Sequence, residues 1–231
     1  MNRLADISNR VLRKIEREGF YNSIAQVGLR AESFWFDMRY GVDTHRNISL
    51  SNLDIASPAA KFGRRSQSTL VRHLRKVLAE LKPSADDVLV DFGCGKGRVL
   101  LVAAMQGLKR VVGVEFSREL CSIAEENIAR LKEKAALCPV DVVCIDAGDY
   151  QIRPDETIFF FFNPFDSAVM KEVISNIEDS FEEHPRKISI VYINIESQRI
   201  STESGRFRLV TDSHLNGLPF QIYTLGWPPQ Q

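Results

Sequence analysis

A short apolar run that closes on an acid and opens a series of glycines constrains this chain more than any other feature. The residues are Val88-Leu89-Val90-Asp91-Phe92-Gly93-Cys94-Gly95-Lys96-Gly97-Arg98. The apolar run predicts a buried strand over Val88–Val90, and the apolar face of Val99–Met105 predicts a helix. Glycines at alternate positions between them allow a tight turn that a ligand can approach closely. Strand, glycine loop and helix in this order are typical of a nucleotide-binding α/β unit.

The glycine spacing and the preceding acid distinguish this loop from a dinucleotide-binding loop. Gly93, Gly95 and Gly97 form G-x-G-x-G, whereas dinucleotide-binding loops have G-x-G-x-x-G. The carboxylate of Asp91 repels a pyrophosphate and suits a cation such as an ammonium group. The following helix adds free N–H groups and a partial positive charge at its start. These features predict a loop for S-adenosylmethionine (SAM) and disfavour an NAD-dependent oxidoreductase.

Acidic residues also close the next two predicted strands. The strand Arg110–Val114 ends on Glu115, which can accept hydrogen bonds from both hydroxyls of a ribose. The strand Val140–Ile145 ends on Asp146 and Ala147, where a carboxylate and a backbone N–H can meet an adenine edge. Ligands of open α/β sheets bind at these carboxyl ends. The predicted cofactor-binding residues are Asp91, Gly93, Cys94, Gly95, Gly97, Glu115, Phe116, Asp146, Ala147 and Asn163.

Strands and helices continue to alternate through the second half of the chain. The predicted elements are the strand Thr157–Phe162, the helix Ser167–Phe181, the strand Lys187–Ile195, and strands near Phe207–Val210 and Phe220–Leu225. Another helix is predicted from about Ser68 to Leu81. The pattern predicts an α/β fold with a doubly wound, mostly parallel seven-stranded sheet that ends in an antiparallel hairpin.

These motifs resemble those of the class I (seven-strand) SAM-dependent methyltransferases from about Leu81 to the end. The most specific of them is DFGCGKG, which begins at Asp91. A narrower resemblance, to small bacterial methyltransferases of unassigned substrate, rests on FDMRYGVDT from Phe36 to Thr44, DFGCGKGRVLLVAA, GVEFSREL and FNPFD. The glycine loop and second strand distantly resemble the non-SET histone-lysine methyltransferases. The resemblance implies a Rossmann-like fold, methyl transfer, and S-adenosyl-L-homocysteine as the product of the cofactor.

The resemblance also implies catalytic residues after the fourth strand, namely Asn163, Pro164 and Phe165. In amino-methyltransferases with an (Asn/Asp)-Pro-Pro-aromatic motif, this position holds the target nitrogen. Here Phe165 replaces the second proline, so the acceptor atom stays open between nitrogen and oxygen. Weaker candidates for acceptor or cofactor contacts are Asp166, Tyr192, Asn194 and Glu196, and, in a segment that lies over the cofactor in related enzymes, Phe62, Arg65 and Ser66.

The charges of the chain are segregated although they sum to zero. Residues 1–76 hold 14 Lys and Arg against 7 Asp and Glu, and the remainder holds 16 against 23. Apolar residues recur at helical spacing over Leu4–Arg17. We expect a helical extension over residues 1–56, which docks on an acidic methyltransferase domain over residues 57–231 or covers its substrate. A homodimer through the N-terminal helix is an alternative, and an arm for nucleic acid is less favoured.

Several classes of protein are disfavoured by composition. The chain has no apolar run of eighteen residues and no apolar stretch at its start, so we expect neither a membrane span nor a signal peptide. Its 4 cysteines lack zinc spacing, and we expect a cytoplasmic protein without a metal. The leading hypothesis is methyl transfer to a nitrogen or oxygen nucleophile, with a Lys-like protein amine or a small metabolite as the acceptor. An RNA methyltransferase and a non-catalytic SAM-binding regulatory subunit remain as alternatives.

Overall fold

Alternating strands and helices make up most of the structure, a computed structural model that describes residues 31–45, 69–162, 167–193, 205–215 and 218–226. The helices are α1 (residues 31–40), α2 (Val71–Leu81), α3 (Arg98–Ala104), α4 (Arg118–Lys132) and α5 (Ser167–Glu183). The strands are β1 (Val88–Phe92), β2 (Arg110–Glu115), β3 (Val140–Cys144), β4 (Ile158–Phe162), β5 (Ile188–Ile193), β6 (Arg208–Leu215) and β7 (Leu218–Leu225). No helix in these ranges is long and apolar enough to cross a membrane.

The seven strands form one sheet in the order β3-β2-β1-β4-β5-β7-β6. Strands β1 to β5 are parallel, whereas β7 runs antiparallel between β5 and β6. The predicted fold class is therefore confirmed, including the terminal hairpin. The strand order reverses between β1 and β4, and ligands of doubly wound sheets bind beside such a reversal, at the carboxyl ends of the strands.

Apolar side chains cover both faces of the sheet. Along β1, Leu89 faces one core cluster while Val90 and Phe92 face the other. The first cluster includes α2 and α3, and the second includes α5. The Phe92 and Phe161 rings stack at 5.3 Å with an interplanar angle of 2°, which joins β1 to β4 close to their carboxyl ends. The unbroken apolar runs of these strands follow from burial on both faces.

The largest difference from the predicted elements lies in β6. A strand was expected near Phe207–Val210, but it extends from Arg208 to Leu215. Most residues of β6 are exposed or half-buried, and it pairs only with β7, with an irregularity between Leu209 and Thr211. Polar residues are compatible with such an edge strand, so the sequence of β6 lacks the apolar signal that identified the central strands.

Part of the N-terminal extension packs on the domain. Phe36 in α1 is buried in the first core cluster, and its ring contacts Tyr40 at 4.9 Å. In contrast, Phe34 and Trp35 are exposed. The described part of the extension is therefore anchored by Phe36 and Val42, both buried in this cluster, and by Tyr40, which packs against it. The amphipathic segment predicted over Leu4–Arg17, and the candidates Phe62, Arg65 and Ser66, lie outside the described residues.

Candidate active site

The glycine loop between β1 and α3 has a conformation that requires glycine. Gly93, Gly95 and Gly97 have φ angles of 76°, 55° and 84°. Side chains with a Cβ rarely adopt this left-handed region. The backbone N–H groups of Gly93 and Cys94 both donate to the carbonyl oxygen of Val114, at 2.8 and 3.1 Å. The loop therefore turns across the carboxyl end of β2 before α3 begins.

Cys94 fills a narrow space beneath this loop. A Cβ placed on Gly113 of β2 would lie 2.7 Å from the Cys94 sulfur and 2.6 Å from Leu100 Cδ1, so the strand, loop and helix are closely packed there. Burial raises the pKa of the Cys94 thiol well above its usual value, with smaller contributions from Glu115 and Asp91. The Cys94 thiol is therefore a packing group.

Asp91 presents a carboxylate oxygen that lacks a partner. The residue is only 2% exposed, and no group in the described ranges hydrogen-bonds to its Oδ2 atom. Burial and, to a smaller extent, the nearby charge of Glu115 raise the pKa of Asp91 well above its usual value. A buried acceptor without a donor destabilises a fold. A ligand that brings a cation or an N–H donor to this oxygen would remove that cost.

Glu115, at the end of β2, connects the loops that follow β1 and β2. Its Oε2 atom accepts the N–H of Gly95 at 3.0 Å, and its Oε1 atom accepts the N–H of Ser117 at 3.0 Å. Burial raises the pKa of this carboxyl, while these backbone donors partly oppose the rise. Each carboxylate oxygen has two lone pairs, so both can accept a further hydrogen bond. Phe116, which lies between Glu115 and Ser117 in the sequence, is half-buried.

The loop after β3 places the third predicted acid at the same edge of the sheet. Asp146 is half-buried, and its Oδ1 atom accepts the N–H of Gly148 at 3.3 Å. Ala147 is buried, and the carbonyl oxygen of Gly148 accepts the side-chain amide of Asn176 in α5 at 2.9 Å. Because β1, β2 and β3 are parallel neighbours, the structure brings Asp91, Glu115 and Asp146 to one edge.

The residues predicted to be catalytic fall between described segments. Asn163, Pro164, Phe165 and Asp166, with Asn194 and Glu196, lie outside the described residues, and their roles stay predictions. Tyr192 is half-buried near the carboxyl end of β5. Its ring contacts Phe161 edge to face at 6.4 Å, and it lies opposite Gln221 of β7 in the sheet register.

Sequence reasoning missed two buried cations, Lys96 in the glycine loop and Arg98 at the start of α3. The Lys96 ammonium lies 3.1 Å from Asp43 Oδ2, and the Arg98 Nε donates to Thr44 Oγ1 at 2.7 Å. Both partners belong to the N-terminal extension. At this contact, therefore, acids of the extension meet bases of the domain, the reverse of the signs that the overall charge segregation predicts. The FDMRYGVDT stretch, already notable as a motif, was the available signal.

Three groups of the extension also lie within metal-binding distance of one another. One ligand atom from each of Asp37, Asp43 and His45 falls within 4.8 Å of the others. Asp37 Oδ2 accepts the N–H of Thr44 and His45, both at 2.8 Å. Because these carboxylates already face the two buried cations of the loop, the cluster is accounted for by contacts within the protein.

Comparison with known proteins gives a family match, partial relatives and structures of similar fold. Residues 89–183 match the family described as a methyltransferase domain. A protein-lysine N-methyltransferase from Saccharolobus islandicus is 40% identical over 58 residues, which are 25% of this chain and 36% of that protein. A histone-lysine N-methyltransferase from Dictyostelium discoideum, specific for lysine 79 of H3, is 30% identical over 105 residues, which are 44% of this chain and 5% of that protein. The chain thus spans well under two thirds of the length of the curated relatives that it matches.

A solved structure has the same fold. An RNA methyltransferase from Salinibacter ruber, in complex with S-adenosyl-L-homocysteine, matches with a TM-score of 0.52 and 20% identity. The match covers 71% of this chain and 95% of that protein. The sheet order and these comparisons together show the class I methyltransferase fold. Residues 89–183, the stretch that matches the methyltransferase domain family, run from β1 through α5.

Proposed function

We propose that this chain is a SAM-dependent methyltransferase that binds its cofactor along the carboxyl ends of β1, β2 and β3. The observation that carries the proposal is the buried Oδ2 atom of Asp91 beside the glycine loop, which has no hydrogen-bond partner among the described residues. A dinucleotide would bring a pyrophosphate to this oxygen, whereas the methionine moiety of SAM brings an ammonium group. Two buried acids, Asp91 and Glu115, favour a cationic ligand over an anionic one.

The three acids would hold three parts of the cofactor. Asp91 would accept N–H bonds from the ammonium group, and the remaining lone pairs of Glu115 would accept the ribose hydroxyls. Asp146 and the backbone N–H of Ala147 would meet the adenine edge, beside Phe116. Cys94 and the three loop glycines would form the surface that the cofactor approaches. This assignment follows the order of the strands, since β1 lies between β4 and β2, and β3 lies beyond β2.

Bound SAM would supply a methyl group on its sulfonium sulfur. The nucleophile would attack the methyl carbon in line with the sulfur–carbon bond, which breaks as the new bond forms. What the protein contributes to such a step is alignment and exclusion of water. Asn163, Pro164 and Phe165 follow β4, beside the strand-order reversal, and we assign them the contact with the acceptor. An acceptor amine must lose its proton before attack, and hydrogen-bond acceptors at this position favour that loss.

The acceptor is a nitrogen or oxygen nucleophile, and the comparisons favour a lysine amine over a metabolite. Two of the partial relatives are named for methyl transfer to protein lysine. The fold neighbour named for RNA and the basic N-terminal third support an RNA acceptor instead. Binding to RNA through Lys and Arg would weaken steeply with salt, so salt-sensitive RNA binding that is lost on deleting residues 1–60 would favour that alternative.

Calorimetric titration with SAM and with NADH tests the cofactor assignment. We expect the full-length chain to bind SAM and not NADH. Asp91→Asn preserves the side-chain volume but removes the charge, and should weaken SAM binding by about tenfold to a hundredfold. Asp141→Asn, at an exposed acid of β3, is the matched control and should bind as the unaltered chain does. Equal affinities of the Asp91 variant and the control would overturn the assignment.

Transfer of tritium from methyl-labelled SAM into cell lysate tests the reaction and the acceptor together. The products are separated by protease treatment, ribonuclease treatment and size. Label in a protease-sensitive fraction would support a protein amine, label in a ribonuclease-sensitive fraction would support RNA, and label in the small-molecule fraction would support a metabolite. Tight binding of SAM without transfer to any fraction would favour a non-catalytic SAM-binding subunit.

A further inference from the structure

We propose that residues 37–45 are a positioning element for the cofactor loop, which holds Lys96 and Arg98 so that the loop keeps the conformation that receives SAM. This element, the 37–45 segment, consists of the last turn of α1 and the residues that follow it, and it packs against the start of α3 and the middle of α4. The proposal rests on the proposed function, since it assumes that SAM is the ligand of the glycine loop.

The 37–45 segment has a fixed shape of its own. Asp37 is 2% exposed, its Oδ2 atom lies 2.7 Å from the ring Nδ1 of His45, and its carboxylate accepts three further hydrogen bonds from the end of the segment. These are the N–H of Thr44 at 2.8 Å, the hydroxyl of Thr44 at 2.7 Å and the N–H of His45 at 2.8 Å. The N–H of Val42 donates to the Asp37 carbonyl oxygen at 3.0 Å. The segment is thus closed on itself and acts as a unit.

Thr44 connects Asp37 to Arg98, the first residue of α3, through hydrogen bonds of its hydroxyl group. The Thr44 hydroxyl donates to Asp37 Oδ1 and accepts the Arg98 Nε–H at 2.7 Å. Thr44 is fully buried and Arg98 is 5% exposed. The Arg98 Nη1 group also donates to the Thr69 carbonyl oxygen at 3.1 Å, and Nη2 lies 3.8 Å from Asp37 Oδ2. A guanidinium held on several sides fixes the position of its backbone.

Asn127 of α4 connects the segment to the backbone of the loop. Its Oδ1 atom accepts the Asp43 N–H at 2.9 Å. Its Nδ2 group donates to the carbonyl oxygens of Asp43 at 3.1 Å and of Lys96 at 3.0 Å. The Lys96 ammonium, itself buried, pairs with the Asp43 carboxylate at 3.1 Å. The segment therefore contacts the side chain of Lys96 directly and its main chain through Asn127.

These contacts fall on either side of Gly97, which has a φ of 84° and precedes the first residue of α3. A Cβ on Gly97 would lie 3.2 Å from the Ala124 Cβ, so the loop also has little room to move toward α4. If docking of the segment favours the binding-competent loop, SAM must favour docking of the segment by the same factor. The segment and the cofactor are then energetically coupled.

A matched pair of variants at Thr44 tests this coupling. Thr44→Val keeps the shape of the side chain but removes the oxygen between Asp37 and Arg98, whereas Thr44→Ser keeps the oxygen. We expect Thr44→Val to weaken SAM binding about fivefold or more, and to raise the KM for SAM with little change in kcat. Thr44→Ser should bind within about twofold of the unaltered chain, as should Asp86→Asn, an exposed control before β1. Equal SAM affinity in the two Thr44 variants would overturn the proposal.

Hydrogen exchange followed by mass spectrometry separates this proposal from the proposed function. Without ligand, Thr44→Val should speed the exchange of amides in residues 93–98, and in the unaltered chain SAM should slow the exchange of residues 37–45. If the unaltered chain does not bind SAM, the proposed function fails, but the ligand-free comparison still decides whether the segment orders the loop. Asp43→Asn, at a partly exposed side chain, provides a second variant should Thr44→Val not fold. Unchanged exchange over residues 93–98 in the folded variant would contradict the positioning role.

Discussion

Glu115 Oε2 accepts the backbone N–H of Gly95 at 3.0 Å, so the carboxylate at the end of β2 holds the glycine loop that follows β1. The other oxygen of the same group accepts the N–H of Ser117, which is the N-cap of α4. A residue that sequence analysis assigns to the ribose thus has a structural role before any ligand binds. The two roles are compatible because a carboxylate has about four acceptor positions.

Replacement of Glu115 by glutamine should affect both roles. Glu115→Gln preserves the volume but turns one acceptor oxygen into a donor, so one of the two backbone N–H groups loses its partner. We expect the free energy of unfolding to fall by about 1–3 kcal/mol and SAM affinity to fall by about tenfold. Urea denaturation and calorimetry measure the two effects. Glu119→Gln, at an exposed residue in the first turn of α4, is the control. Unchanged stability would show that the two hydrogen bonds contribute little.

The raised pKa of Asp91 predicts that the stability of the ligand-free chain depends on pH. Its pKa in the folded chain lies above its unfolded value of about 4, so protonation of Asp91 stabilises the ligand-free fold. That contribution is complete below pH of about 4 and is lost as the pH rises through the folded pKa. Without ligand, the unaltered chain should therefore lose stability relative to Asp91→Asn as the pH rises. Thermal unfolding of both chains across this window is the measurement.

A cationic ligand reverses the preference of the folded chain for protonated Asp91, because the ligand favours the ionised carboxylate. SAM affinity should increase with pH through the same window, and binding should release protons there. Calorimetry in two buffers of different ionisation enthalpy measures the protons released. Asp91→Asn should remove the pH-dependent part of this release. Release that is the same in the variant would assign the titration to another group, with Glu115 as the first candidate.

How much of this architecture could be predicted depends on where each signal lies in the sequence. The central strands were predictable because burial on both faces leaves unbroken apolar runs, as in β4, where residues Ile158 to Phe161 are all buried. The acids at the strand ends were predictable because parallel strands bring their carboxyl ends together. In β6 the strand was found but not its length, since an exposed edge strand tolerates polar residues.

The contact between the 37–45 segment and the glycine loop could not be predicted, for a different reason. Asp43 and Lys96 are 53 positions apart in sequence, and a lone charged residue is usually solvated. Only the fold reveals that Lys96 and Arg98 are buried and must therefore be paired. The same applies to Cys94, whose close packing against Gly113 of β2 is visible only in the fold.

The four cysteines should differ sharply in reactivity. Cys144 is exposed, whereas Cys94 and Cys121 are buried, and burial raises the pKa of each of the buried thiols. Only a thiolate attacks a disulfide reagent quickly. We expect one fast-reacting thiol in the folded chain, and its loss in Cys144→Ser. A colorimetric disulfide reagent measures the time course. A fast phase that persists in Cys144→Ser and disappears in Cys94→Ser would contradict the packing role of Cys94.

Gly113 should be intolerant of even one added methyl group. The Cβ of Gly113→Ala would lie 2.6 Å from Leu100 Cδ1 and 2.7 Å from the Cys94 sulfur. We expect the free energy of unfolding to fall by about 1–3 kcal/mol because of overpacking. Leu100→Val removes the nearer atom, so the double variant should be more stable than the sum of the two single effects predicts. If the changes in the free energy of unfolding, measured by urea denaturation, are strictly additive, then the clash is not the cause of the lost stability.

Asn163 should affect turnover more than cofactor binding, which separates an acceptor contact from a cofactor contact. Asn163 follows β4, whose last residue, Phe162, pairs with Ile193 of β5. In the sheet, β4 lies next to β1, on the side away from β2 and β3. If Asn163 aligns the acceptor, Asn163→Ala should lower kcat by about a hundredfold or more, because poor alignment is costly in methyl transfer, while SAM affinity should stay within about threefold. Asn163→Asp, which keeps an acceptor oxygen, should retain more activity than the alanine variant. Single-turnover transfer from labelled SAM, beside calorimetric affinities, makes the comparison, and equal losses in kcat and in SAM affinity would reassign Asn163 to the cofactor.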